Sequence, residues 1–268
     1  MNSKKFLLSE KIRIDKLEYV PNNYYYSGEF GYFNFGLLVG LEQIFGSNEL
    51  STPLITIHTF PDYCYILKNL FGDKIECKEI KFAKLRFLND NDENELYKKL
   101  YKPIYKLINM KLVSLVIKNK EYISKQITTE YKDDSENFIC YFPRFRNSGT
   151  IKSDFNQRNS NDSECNYILN LFSPKFKIFI LGNETLDFNY NKKNIEKVDD
   201  IRRAIFYLKN CKFLISNDSG YIDFAKNCGC KNVYVFKPIV DYHKYFNPFG
   251  AKIGIIKDIN ELQKVVKL

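Results

Sequence analysis

Apolar and polar positions fall into two rhythms along the chain: short apolar runs that stop at a polar turn, and longer stretches with an apolar residue every third or fourth place. The two meet most clearly in residues 212–236, KFLISNDSGYIDFAKNCGCKNVYVF. There the apolar run 213–215 ends in Ser216-Asn217-Asp218-Ser219-Gly220, and helical spacing begins with Ile222, Ala225 and Lys226. Cys228-Gly229-Cys230 stops the helix, since Gly can take the left-handed cap, and the apolar run 233–236 follows at once. Strand, tight turn, helix and strand in this order make half of a parallel α/β repeat. Asp218 and Ser219 suit an N-cap, and the free N–H groups behind them make that helix end a natural seat for phosphate.

The same rhythm recurs on both sides. In residues 24–45 an aromatic, strand-like run passes through Ser27-Gly28-Glu29-Phe30-Gly31 into helical spacing at Phe35, Leu38, Val39, Leu41 and Phe45. Gly28 and Gly31 would let the backbone pass close to a ligand, although a packing helix rich in small residues accounts for the same pattern. Residues 54–59 read as a buried strand, 62–71 as a short helix and 75–82 as another strand. His58 lies near the carboxyl end of its strand, where open α/β sheets place ligands; a hydrogen-bonded structural histidine is the commoner occupant of such a position. Residues 95–126 carry helical spacing divided at Pro103. The polar run 128–137 marks the expected boundary between two halves, residues 1–132 and 133–268. In the second half the pattern predicts strands at 138–142, 176–181 and 252–256, and helices at about 159–172, at 199–210 and from 258 onward. Alternation repeated this often predicts a parallel sheet with helices on both faces.

Composition refines this picture. The 268 residues are 44% hydrophobic and 16% aromatic with few Gly and Pro, which argues for a folded chain with a real core. Lys, Asn, Ile and Tyr are abundant throughout, so no single one of them is a signal. The net charge of +9 suits nucleic acid, an acidic membrane surface or phosphorylated small substrates. Basic residues are interspersed with acidic ones rather than gathered, so a dedicated nucleic-acid groove is not expected. The apolar segment at the start is too short for a signal peptide and no apolar stretch could span a bilayer, which predicts a cytoplasmic protein with peripheral membrane contact left open. The seven cysteines are odd in number and scattered, the pattern of reduced core thiols. Two histidines, His58 and His243, leave little material for a metal site or a histidine-based triad, so no metal is expected.

Every strand of a doubly wound sheet opens its carboxyl end on the same edge. Three such ends in the second half carry polar or cationic groups: Arg144 and Arg146 after the first, Asn183 and Glu184 after the second, and Asn217, Asp218, Ser219 and Gly220 after the third. Two guanidiniums facing a helix N-terminus form a site for a diphosphate, and a nearby carboxylate can accept hydrogen bonds from a ribose. Each part has a plainer reading, as surface charge, solvated acid or simple cap. Capping explains only one of the three ends.

The run ISNDSGYIDFAKNCGCKNVYVF resembles the nucleotide-sugar-binding segment of glycosyltransferase family 9, the heptosyltransferase family, where a strand ends in Asp-Thr/Ser-Gly, a helix with a small apolar residue follows and Gly precedes the next strand. Asp218, Ser219, Gly220, Ala225 and Gly229 stand at the matching places. The resemblance implies a GT-B fold, an α/β architecture of two Rossmann-like parallel-sheet halves facing a cleft, with the donor on the C-terminal half and the acceptor on the N-terminal half. It implies inverting, metal-independent transfer of a sugar from a nucleoside diphosphate sugar to a hydroxyl of a glycan or other acceptor, with no cofactor beyond the donor. Donor binding then falls to Arg144, Arg146, Asn183, Glu184, Asn217, Asp218, Ser219, Gly220 and Tyr221. The Gly-Asp turn that carries the family's presumed base is matched by Gly28-Glu29, which makes Glu29 the base and puts Gly28, Gly31 and His58 on the acceptor side. Two departures stand out: the family's His past the Gly is replaced around Ile222 and Asp223, and the cation after the first strand of the second half is Arg rather than Lys. A non-catalytic nucleotide- or sugar-binding module of the same fold is the alternative, and a nucleic-acid-binding protein driven by the charge a third.

Overall fold

Strand-forming runs and amphipathic helices alternate as the periodicity requires. In a computed structural model of the chain the described residues are 22–26, 33–46, 54–80, 103–104, 123, 125–144, 159–182, 193–236 and 246–265. The chain divides into two compact units, Met1–Val116 and Ile117–Leu268.

The first unit holds a three-stranded parallel sheet of β1 (Asn23–Tyr26), β2 (Ile55–Thr59) and β3 (Ile75–Glu79), in that order. Its register sets Tyr25 beside His58 and His58 beside Lys78, so Asn23, Thr56 and Glu76 share a face with them. The opposite face carries Tyr26, Ile55, Ile57 and Ile75, all buried. A π-helical turn, Phe33–Leu37, runs into α1 (Leu38–Gly46), and α2 (Pro61–Phe71) joins β2 to β3. Tyr26, Phe33 and Tyr63 form one aromatic cluster, with the Phe33 and Tyr63 rings stacked at 4.2 Å. α2 starts on Pro61, whose missing N–H costs nothing in the first turn, and stops at Gly72, where φ is +56° and the N–H closes on the Lys68 carbonyl.

The second unit holds a six-stranded sheet, parallel throughout: β4 (Phe138–Phe142), β5 (Lys177–Leu181), β6 (Ile195–Val198), β7 (Leu214–Asn217), β8 (Asn232–Phe236) and β9 (Lys252–Ile256). Their spatial order is β6-β5-β4-β7-β8-β9. The chain starts in the middle, winds outward to β6, crosses back to lay β7 beside β4, and winds outward again. This is the doubly wound dinucleotide-fold order, and its switch point lies between β4 and β7. α3 (Asp162–Phe172) and α6 (Leu262–Val265) cover one face, where Ile139, Tyr141, Ile178, Ile180 and Ile215 pack with Cys165, Ile168, Phe172 and Leu262. α4 (Ile201–Asn210) covers the other face, its Tyr207 ring stacked on Phe179 at 3.6 Å and edge-on to Phe138. On the same side α5 (Gly220–Asn227) follows β7 and leads into β8.

Residues 117–132 go with the second unit. The Ile127 N–H donates to the Asn227 carbonyl at 2.9 Å. Gly229, at φ +82°, lies so close to Gln126 that a Cβ there would meet its side chain at 2.7 Å. Strand β6 was not anticipated from the pattern: it is an edge strand whose Ile195, Glu196 and Lys197 are only half-buried, so apolar and polar positions do not separate. Among the described residues no helix is long and apolar enough to cross a membrane.

Candidate functional site

The switch point is where the second unit gathers its polar groups. β7 is buried along its length, and Ser216, Asn217 and Asp218 have no exposed surface. Ser219 then turns the chain at φ −156° and ψ 164°, and α5 begins at Gly220. The Ser219 side chain makes no capping bond; its hydroxyl lies 3.1 Å from that of Ser216, which donates to the Asn217 carbonyl at 2.7 Å. The other helices of this sheet with a polar N-cap differ. Asn161 and Glu164 form a full capping box on α3, and the Asp200 carboxylate accepts from the Arg202 and Arg203 amides of α4. The Ser219 side chain caps no amide of α5, so the plain reading of Asp-Ser-Gly as a capping device does not hold for Ser219. Such an end favours an anion.

One hydroxyl ties this turn to the end of β4. Ser160 Oγ accepts from the Arg144 amide at 3.2 Å and donates to Asn217 Oδ1 at 2.8 Å, while the Ser160 amide donates to the Arg144 carbonyl at 2.8 Å. Arg144, 8% exposed, is thereby fixed one strand away from the turn. Above this clip the Phe142 ring stacks on Tyr221 at 3.9 Å and 17°. The end of β5 reaches the same ring: Gly182, at φ +111°, would drive a Cβ to 2.6 Å from Phe142, so only glycine fits there. The ends of β4, β5 and β7 are thus packed together, and Arg144, Asn217, Asp218, Ser219, Gly220 and Tyr221 stand on two adjacent ones. Arg146, Asn183, Glu184, Gly28, Glu29 and Gly31 lie outside the described residues.

His58 belongs to the first unit's sheet and is engaged there. Its ring stacks on Tyr25 at 4.4 Å, and Nε2 lies 3.2 Å from Asn23 Oδ1. Burial, then the Lys78 ammonium, pull its pKa below the usual value, with Glu76 opposing, so the imidazole is neutral at pH 7.

Asp223 and Lys226 form an ion pair at 3.1 Å inside α5, with side chains 1% and 0% exposed. Burial pulls the Lys226 ammonium below its ordinary pKa, and Asp223 opposes that shift. Asp223, one of the residues standing where the resemblance expected a histidine, is thus paired with Lys226 in the core. The pair's signal was present in the sequence as an acid and a base three residues apart on a helix, with Lys226 already falling on an apolar position. Ser160 had no such signal; it is one polar residue in a polar run. Among the described residues no group of three or more His, Cys, Asp or Glu is placed to hold a metal ion.

No family model and no curated protein matches the chain. Solved structures do match it in fold. A glycosyl transferase family 9 protein from Veillonella parvula DSM 2008 superposes with a TM-score of 0.52 at 10% identity, over 91% of this chain and 88% of that one. E. coli heptosyltransferase WaaC with ADP-2-deoxy-2-fluoro heptose gives 0.53 at 8% identity, over 91% and 98%. E. coli ADP-heptose lps heptosyltransferase II gives 0.52 at 9% identity, over 87% and 89%. The likeness is one of fold: a mixed α/β chain with two parallel sheets, matching glycosyltransferases of the GT-B type.

Proposed function

We propose that the chain is a glycosyltransferase that moves a sugar from a nucleoside diphosphate sugar to an acceptor hydroxyl, by inversion and without a metal. The observation that carries this reading is the clip at the switch point, where Ser160 ties the Arg144 backbone to Asn217, two residues before the Ser219 turn that opens α5. As the anomeric carbon loses its leaving group, negative charge grows on the diphosphate. In this reading the Arg144 guanidinium and the amides at the start of α5 stabilise that charge. Of the solved structures of similar fold, WaaC was solved with ADP and with ADP-2-deoxy-2-fluoro heptose, ligands of this chemical class.

In this reading residues 133–268 bind the donor through Arg144, Arg146, Asn183, Glu184, Asn217, Asp218, Ser219, Gly220 and Tyr221. The first unit binds the acceptor, a glycan or another hydroxyl compound, near Gly28, Gly31 and His58. Glu29 accepts the proton of the attacking hydroxyl, and attack opposite the leaving diphosphate inverts the anomeric centre. The protein acts in the cytoplasm, with at most a peripheral contact with the membrane.

Calorimetry against ADP-, GDP-, UDP- and CDP-linked sugars and the free nucleoside diphosphates tests the reading. One nucleotide should bind, and Arg144→Ala should weaken it by about 2 kcal/mol, roughly thirtyfold. Binding of none would overturn it. Glu29→Gln should abolish turnover and keep donor affinity; a variant at full rate removes Glu29 from the role of base. Donor binding with no turnover for any acceptor would make the chain a binding module instead.

A further inference from the structure

Five of the seven cysteines, Cys140, Cys165, Cys211, Cys228 and Cys230, are buried in the second unit. Cys211 caps the carboxyl end of α4 and Cys230 follows the end of α5. Each stands three residues before one of the paired positions Leu214 and Val233, so the two run side by side into neighbouring parallel strands. Their sulfurs are 3.7 Å apart. A disulfide needs about 2.05 Å, so bond formation asks for a shift of roughly 1.7 Å shared by two side chains that already face each other.

We propose that Cys211 and Cys230 are a disulfide-forming pair that closes covalently when the protein meets a small-molecule disulfide. The loop so closed contains β7, the turn and α5, the whole strand–turn–helix that carries the candidate site. Both residues are buried, Cys211 7% exposed and Cys230 1%, so local opening precedes attack, with Cys211 taken as the first thiol. Its thiolate attacks one sulfur of R–S–S–R, forming a protein–S–S–R bond and releasing RS⁻. The Cys230 thiolate then attacks the Cys211 sulfur and releases the second RS⁻. The two protons given up by the protein thiols end on the two RS⁻ ions, and the protein loses two electrons while the oxidant gains them. Hydrogen bonding to Cys140 and burial hold the Cys211 thiol well above its usual pKa, and the Cys211 contact and burial do the same to Cys230. The pair is therefore quiet under brief exposure and closes as its corner opens locally. Cys140, the neighbour that most raises the Cys211 pKa, is the competing partner.

The full chain is incubated with oxidised glutathione until added free cysteine is fully converted to mixed disulfide, alkylated, and mapped by mass spectrometry. The expected product has lost two hydrogens, about 2 Da, and yields a linked pair of peptides containing Cys211 and Cys230. Dithiothreitol reverses it, the oxidised form melts several degrees higher, Cys228→Ser keeps the link and Cys230→Ser abolishes it. Cys211 and Cys230 that both remain alkylatable, that carry only glutathione, or that link through Cys140 or Cys228 instead would overturn the proposal. The outcome is independent of glycosyl transfer, since it is read on the protein without donor or acceptor.

Discussion

Ser160 holds two strand ends together with one hydroxyl, and its worth is open to measurement. In Ser160→Ala the buried Asn217 Oδ1 and the Arg144 amide both lose the hydroxyl that joins them. A loss of about 1–3 kcal/mol in denaturant stability is expected, together with weaker binding of a nucleoside diphosphate. Unchanged affinity with lowered stability would restrict Ser160 to a structural role. The Asp223–Lys226 pair follows a different rule. Asp223→Asn removes the carboxylate paired with a fully buried ammonium, and about 3–5 kcal/mol of stability should go with it. Replacing both, as Asp223→Leu with Lys226→Met, should recover most of that loss in urea melts, because each buried charge is costly on its own. These roles are hard to read in a sequence. The Ser160 hydroxyl is one of many in a polar run, and only the third dimension says which strand it reaches.

At the scale of elements, the three side-chain choices at the starts of α3, α4 and α5 separate support from function. Asp200 supports α4: Arg202, then the Arg202 and Arg203 amides, hold its carboxyl down to about 2. A depressed carboxylate contributes stability that is complete above its unfolded pKa of about 3.9. That contribution is lost as pH falls through about 2. Asp200→Ala should therefore cost about 1 kcal/mol at neutral pH and shrink the difference from the parent between pH 4 and pH 2, as followed by circular dichroism. An acid leg of undiminished depth in the variant would assign the titration to another group. The strand–turn–helix of residues 212–236 was readable because its periodicity changes abruptly at a polar turn. β6 was not, because an edge strand with half-buried positions leaves no clean alternation. That Ser219 does not cap α5 was also out of reach: it looks like an N-cap in sequence, and only the structure shows its hydroxyl turned to Ser216.

For the whole molecule, the alternation of elements announced parallel sheets, but not the order in which strands lie. That order rests on which strand crosses back, and it puts the β4 and β7 ends side by side although many residues separate them in the chain. A ligand seated there should stabilise the second unit by mass action, by about 2.7 kcal/mol at a hundred times its dissociation constant, visible as a raised melting temperature. The far end of α5 adds a consequence. The helix starts at the turn and finishes where the Asn227 carbonyl takes the amide of Ile127 and where Gln126 fills the space beside Gly229. Eight residues of helix, about 12 Å, therefore connect the proposed diphosphate site with the thread of chain that enters this sheet. The Ile127 proton becomes a remote gauge of occupancy: deuterium should replace it more slowly once a nucleotide is bound, at a point the nucleotide never touches.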